Sequence, residues 1–322
     1  MARIVLGAAT AHAPFLNGGV ERWADGGKRD MVAATGGGMP MNLDIDRMIK
    51  EREPWIGKEL EPDVWQRRHE ACQAAIAALA DKVAQVSPDV VVVVGDDTHE
   101  VFMPEEHIPA VDVYWGDSIS YAPYGGRGAS PKPAQALACQ PDLGRRMVES
   151  LIDQGFDPSH SRSIPEGRSI GHAFDFVYAR ILKGQVPPQV PVWLNTYYPP
   201  NQPSPRRCYN LGKALRQAIE SWDSGATVAV IGTGGMSHLV IDEELDREAL
   251  AAMQAKDEQR LASIPPQALT FGTSEIRNWV VTAGAMHDSP AAMTLLDYVP
   301  CYRSPAGTGC ACAFAYWEEA SA

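Results

Sequence analysis

The 322-residue chain has no run approaching the roughly 20 consecutive apolar residues that a membrane helix requires. It has no basic stripe either. Lys and Arg number 28 against 40 Asp and Glu, a formal net charge of −12, so the phosphate neutralisation behind nucleic-acid binding is missing. The six cysteines (Cys72, Cys139, Cys208, Cys301, Cys310, Cys312) form no Cys-x-x-Cys pair, and free thiols in a reducing cytoplasm are expected. The opening MARIVLGAATAHAPF carries one Arg and a strand-like apolar patch, not the regions of a secretory signal, which also points to the cytoplasm. Phosphate-binding fingerprints fail at the loop that invites them. In VIGTGGMSH (Val230 to His238), Gly232 and Gly234 suit a dinucleotide fingerprint, but the next required glycine is Ser237 and no P-loop Lys follows. No Gly-x-Ser-x-Gly surrounds Ser237, which excludes a nucleophile elbow. What remains is a loop shaped to place His238.

Hydrophobic residues make up 45% of the chain, enough for a sizeable core. Four short, continuous, β-branched runs read as strands covered on both faces: Ile4 to Leu6, Val90 to Val94, Val192 to Leu194 and Val228 to Ile231. Between them lie helical patterns. Cys72, Ala75, Ile76, Leu79, Val83 and Val86 form one stripe. Ser204 and Pro205 open another helix, with Leu211, Leu215, Ile219 and Trp222 on one face. The alternation predicts an α/β fold, a mixed but largely parallel central sheet flanked by helices. Residues 18–60 and 122–133 are expected as long loops or insertions, Gly-rich over Gly18 to Met41 and rich in Gly and Pro over Ala122 to Pro133.

Three of the eight histidines follow buried strands at their C-terminal ends: His12 in ATAHAP, His99 in GDDTHE and His238 in GTGGMSH. That edge of an α/β sheet is where ligands bind. Converging neutral imidazoles suit iron, zinc or manganese, and one carboxylate completes a two-His-one-carboxylate face. Asp96, Asp97, Glu100 and Glu275 all qualify on spacing. Read locally, Glu275 belongs to the first turn of a helix capped by Thr273 or Ser274, where a capping or helix-dipole role is worth about 1 kcal/mol or less.

These segments resemble the class III extradiol ring-cleaving dioxygenases, the superfamily of the protocatechuate 4,5-dioxygenase β subunit. The resemblance runs over most of the chain, so that residues 1–322 read as one catalytic domain. It rests on MARIVLGAATAHAP, VVVVVGDDTHEVF, SIGHAF, NTYYPP with PSPRRCYNLGKALRQAIESW, GTGGMSH and SEIRNWVVTAGAM, and GTGGMSH is the most specific. YVPCYRSPAGTGCACAFAYW is similar to the single-chain branch acting on 3-O-methylgallate and biphenyl catechols. The resemblance implies Fe(II) on His12, His99 and Glu275, with His238 as the acid–base histidine and His172 lining the oxygen side. It thereby overrides the capping role for Glu275. It also implies a homodimer. One departure stands at the second ligand: Thr98 separates Asp97 from His99, where the β subunit has an acid directly before its histidine.

The expected reaction is cleavage of a catecholic acid by dioxygen beside its diol, with 3-O-methylgallate, gallate, protocatechuate or a lignin-derived biphenyl catechol as substrate. His238, near its ordinary pKa of about 6.5, would take a hydroxyl proton at neutral pH. Arg303 and Thr308 are the candidates for the substrate carboxylate, ahead of Arg206 and Arg207, and Tyr198 or Tyr197 for contact with the ring. His69, His107, His160 and His287 read as surface or loop residues. Two rival functions stand beside it: a zinc-dependent hydrolase on the same ligands, which metal identity after anaerobic purification separates from the dioxygenase, and a non-catalytic binding protein of this fold, against which retention of all five expected positions argues.

Overall fold

The computed structural model describes residues 1–34, 43–123 and 133–319. Strand β1 (Arg3–Thr10) is followed by helices α1 (Trp23–Ala34), α2 (Ile45–Glu59) and α3 (Pro62–Val86), and α3 leads into β2 (Val90–Gly95). Short strands β3 (Val111–Tyr114), β4 (Ser118–Tyr121) and β5 (Gln135–Ala138) precede α4 (Pro141–Asp153), β6 (Ser159–Ser161) and α5 (His172–Phe176). Then come β7 (Gln189–Leu194), α6 (Pro205–Glu220), β8 (Thr227–Thr233), β9 (His238–Val240), α7 (Glu243–Gln254) and α8 (Glu258–Ala262). A 3-10 turn, Phe271–Glu275, runs into α9 (Ile276–Ala285), and the hairpin β10 (Ala292–Tyr302) and β11 (Thr308–Glu318) follows.

One nine-stranded sheet has the order β10-β11-β1-β8-β2-β7-β3-β6, with β9 paired to β11, while β4 and β5 form a separate pair. Its centre, β1-β8-β2-β7, is parallel. β11 joins β1 antiparallel and β3 joins β7 antiparallel, so the sheet is mixed, as the strand-and-helix alternation predicts. β2 reads VVVVVG because both its faces are covered. Val90, Val92 and Val94 enter a core with Leu211, Leu215 and Trp279, while Val91 and Val93 enter a second core with Ile76, Leu79 and Val83. The α3 stripe is buried from Cys72 to Val83, and Val86 is half-buried. At α6 the Ser204 hydroxyl accepts from the Arg207 N–H at 3.2 Å; the helix ends at Glu220, so Trp222 lies beyond it.

Residues 18–60 are not one long loop. Two helices occupy 23–34 and 45–59, the second capped by the Asp44 side chain accepting from the Arg47 N–H. Glycines 26 and 27 made the first read as irregular. Most of the expected loop at 122–133 lies outside the described residues. All six cysteines are free and buried, but not scattered: the Sγ atoms of Cys72, Cys301 and Cys312 lie within 4.8 Å of one another. Among the described residues no helix is long and apolar enough to cross a membrane.

Candidate metal centre

β1, β8 and β2 are adjacent and parallel, so the segments leaving their C-terminal ends emerge together. His12 lies two residues past β1, Asp96 and His99 just past β2, and His238 past the glycine loop of β8. His12 is 2% exposed. Its Nδ1 faces the Thr233 hydroxyl at 3.0 Å, and that hydroxyl donates to the Ala173 carbonyl, so Nδ1 carries the proton. Nε2 is therefore the nitrogen that faces the carboxylates, 3.4 Å from Glu275 Oε2 and 4.0 Å from Asp96 Oδ1.

Glu275 stands at the N-cap position of α9, but its side chain makes no capping bond. Its carboxylate is buried and accepts from the Gly235 N–H at 2.6 Å, from the Tyr197 hydroxyl and from His238 Nε2 at 3.2 Å. Thr273 does not cap the helix either. Its hydroxyl accepts from the His238 N–H at 2.9 Å and donates to the His238 carbonyl at 2.8 Å. His238 Nδ1 donates to the Met236 carbonyl at 2.8 Å, which leaves Nε2 turned toward Glu275. Burial would raise the Glu275 carboxyl, but His238 and His12 outweigh it and hold it well below the usual range. Burial likewise opposes charge on His238, and Cys310 and Glu275 outweigh that, lifting it well above its ordinary value.

The glycines around His238 act through close approach. A Cβ on Gly235 would lie 2.8 Å from the imidazole, and one on Gly272 would lie 1.8 Å from its Cδ2. The loop in GTGGMSH is therefore half of a slot for the ring, and Gly272, which no local pattern singles out, supplies the other half. Ser237 takes no part in the site: its hydroxyl donates to buried Asp246 at 2.6 Å.

His172 opens α5, and its Nδ1 is hydrogen-bonded to Glu100. Burial would lower the pKa of His172 and raise that of Glu100. The pair overrides both, putting His172 at about 9 and Glu100 at about 2. His12 and His172 meet edge to face with centroids 4.9 Å apart. His12, Asp96 and His172 offer three donor atoms within 4.8 Å of one another. Burial, then the charge on Glu275, pushes the Asp96 carboxyl up to about 7. Asp96 Oδ1 accepts from Asn278 at 3.0 Å, while Oδ2 is buried with no hydrogen-bond partner.

His99 has a left-handed backbone, φ 69°. Its ring stacks on Tyr198 at 4.0 Å between centroids, and its Nδ1 donates to the Phe102 carbonyl at 3.1 Å. Asp97 organises that turn, accepting from the N–H groups of His99, Val101 and Phe102. Arg303 is already engaged: its guanidinium pairs with Asp30 of α1 at 2.8 Å and lies 4.8 Å over the Phe15 ring. Thr308 is fully buried, its hydroxyl 2.7 Å from that of Ser304. Arg206 and Arg207 begin α6, with Arg207 over Phe156. Sequence reading missed Asn278 and Asp30, whose partners are 182 and 273 positions away and leave no local pattern.

Curated relatives match about half of the chain. A gallate dioxygenase from Pseudomonas putida is 31% identical over 173 residues, 49% of each chain. A 2,3-dihydroxyphenylpropionate/2,3-dihydroxicinnamic acid 1,2-dioxygenase from Comamonas testosteroni is 26% identical over 172 residues, 52% of this chain and 49% of that one. The chain thus spans about half the length of these relatives. A solved structure of an uncharacterised Escherichia coli K12 protein aligns over 97% of this chain and 99% of its own, with 12% identity and a TM-score of 0.45. The family model described as the catalytic LigB subunit of aromatic ring-opening dioxygenase matches residues 59–307, which is most of the chain. The chain belongs to that family.

Proposed function

We propose that this protein cleaves the ring of a catecholic aromatic compound with dioxygen, beside the diol, at a ferrous ion. The observation that carries the reading is the convergence of His12, Glu275 and His238 at one parallel-sheet edge in a chain of this family. The donor chemistry fits a divalent metal: buried imidazole nitrogen, buried carboxylates and an unpartnered Asp96 oxygen. His12 and Glu275 would hold it, with a further donor from the groups packed against them. When bound, Fe(II) would supply Lewis acidity toward the substrate hydroxyls and a path for electrons from the catechol to dioxygen.

The protein's own residues handle the protons. His238 Nε2 is the mobile-proton nitrogen, its ring fixed by the Met236 carbonyl and the slot between Gly235 and Gly272. Tyr197 and the Gly235 N–H fix the Glu275 carboxylate. Tyr198 braces the His99 ring. Arg303 already pairs with Asp30 and Thr308 is buried, so a substrate carboxylate would reach Arg303 only in competition with Asp30.

The test is oxygen uptake by anaerobically purified, Fe(II)-loaded protein with 3-O-methylgallate, gallate, protocatechuate and a biphenyl catechol in turn. Uptake matching the loss of one catechol is the expected result. No uptake with any of them, with iron bound, overturns the reading. Stoichiometric zinc with hydrolytic turnover would replace it.

A further inference from the structure

We propose that Cys72, Cys301 and Cys312 form a metal site of their own, a three-thiolate pocket for a soft monovalent ion, Cu(I). The register of the terminal hairpin sets two of these thiols side by side. Cys301 of β10 lies opposite Cys310 of β11, and Cys312 follows two residues later, so these side chains share one face. Helix α3 packs across that face and delivers Cys72, 229 positions from Cys301. The Cys72 and Cys301 Sγ atoms are 3.9 Å apart, and Cys312 Sγ lies within 4.8 Å of both. Nothing in this site depends on the ring-cleavage reading.

A metal–thiolate bond of about 2.3 Å places three trigonal sulfurs roughly 4.0 Å apart. The first pair already has that spacing, and the third sulfur closes by less than about an ångström. Burial decides which ion fits. All three residues are 0% exposed, so no water completes a coordination shell. A structural zinc takes four ligands, whereas thiolates without oxygen donors select Cu(I). The ion displaces the thiol protons to solvent, and no electron is transferred. The Arg68 guanidinium, one turn before Cys72 on α3, offsets part of the negative charge at Cys301.

Packing alone does not ask for this grouping. Cys139 and Cys208 are also buried, yet each thiol simply donates to a backbone carbonyl, of Leu137 and of Pro203. A further donor stands on α3. His69, three residues before Cys72 and so on the same side of the helix, has a buried Nδ1 with no hydrogen-bond partner. A bare buried imidazole nitrogen is a group that a soft cation would satisfy on its way to the sulfurs. Cys312 also lies against Cys310, whose thiol meets the His238 ring. The pocket thus stands one side chain from His238 while sharing no ligand with His12 and Glu275.

The experiment titrates reduced, metal-free protein anaerobically with Cu(I) against bicinchoninate, a Cu(I) chelator. It reads bound copper and the ultraviolet thiolate-to-copper absorption, with circular dichroism to confirm folding. The wild type should take one Cu(I) per chain from the chelator. Cys72→Ala, Cys301→Ala and Cys312→Ala should each lose at least about tenfold in affinity, the least expected when even an outer partner of a metal site is removed. Cys139→Ala, Cys208→Ala and His12→Ala should stay within about twofold of wild type. Failure of the wild type to take copper from the chelator overturns the site, and that arm needs no variant to fold. Wild-type affinity in a folded variant of any of the three cysteines overturns it as well. A tenfold loss in His12→Ala would place the copper at the sheet edge and overturn it too.

Discussion

Gly272→Ala isolates the position of His238 from its chemistry. The added Cβ would sit 1.8 Å from His238 Cδ2 and 2.0 Å from Nε2, whereas ordinary contact begins at 3.4 Å. The ring, the 3-10 turn or both must therefore give by about 1.6 Å, the difference between those distances. The turn is held by both hydrogen bonds between Thr273 and the His238 backbone, and the side chain is held by the Met236 carbonyl, Glu275 and Cys310. The ring should move first. A misplacement of about 1 Å costs roughly 100-fold in rate when a group must meet a reacting proton. Overpacking should also cost about 1–3 kcal/mol of stability. The expected outcome is kcat lowered about 100-fold, with bound iron unchanged and Tm lowered by several degrees. Wild-type kcat in a folded Gly272→Ala protein would refute the argument that His238 must occupy this slot.

Glu275→Ala should weaken iron binding at least about tenfold while the protein stays folded, and full iron occupancy in that variant would contradict the ligand assignment. Asp246 gives a pH signature away from the metal. Burial lifts its carboxyl to about 7 against the donors Ser237 and Tyr298, so the fold favours its protonated form. That contribution is full below the unfolded value of 3.8 and is lost as pH rises through about 7. From pH 5 to 7 the wild type should lose roughly 2–3 kcal/mol relative to Asp246→Asn in denaturant unfolding, and parallel pH profiles would contradict this. Asp30→Asn should free Arg303 and lower KM for a carboxylated catechol about tenfold relative to a neutral one. An unchanged ratio would show that Arg303 does not face the substrate.

The strands were legible because burial on both faces demands continuous β-branched runs, and VVVVVG has no other use for five valines. Placing histidines after those runs brings His12 and His238 to one edge, where both meet Glu275, since parallel neighbours release their loops on one side. The direction in which His99 points was not legible. It depends on three backbone donors closing onto Asp97, and residue spacing does not encode that closure. Glu275 illustrates the opposite error. Thr-Ser-Glu before an apolar helix is a good capping pattern, yet Tyr197, 78 positions away, and the Gly235 N–H draw the carboxylate inward. The cysteines were separated in sequence and meet only because α3 packs under the β10-β11 hairpin.

The place of β1 in the sheet also sets when the centre can form during synthesis. Its two neighbours are β8, whose pairing begins about 220 positions later, and β11, which comes later still. At 5–20 residues per second a nascent chain carries β1 without a partner on either side for on the order of ten to forty seconds. Over that interval it is an apolar segment with two open edges, the form most prone to wrong association. Until β8 arrives, His12 lacks Thr233, the residue that sets its tautomer. Capture of a metal at His12 would therefore be a late event, dependent on the pairing of β8 with β1.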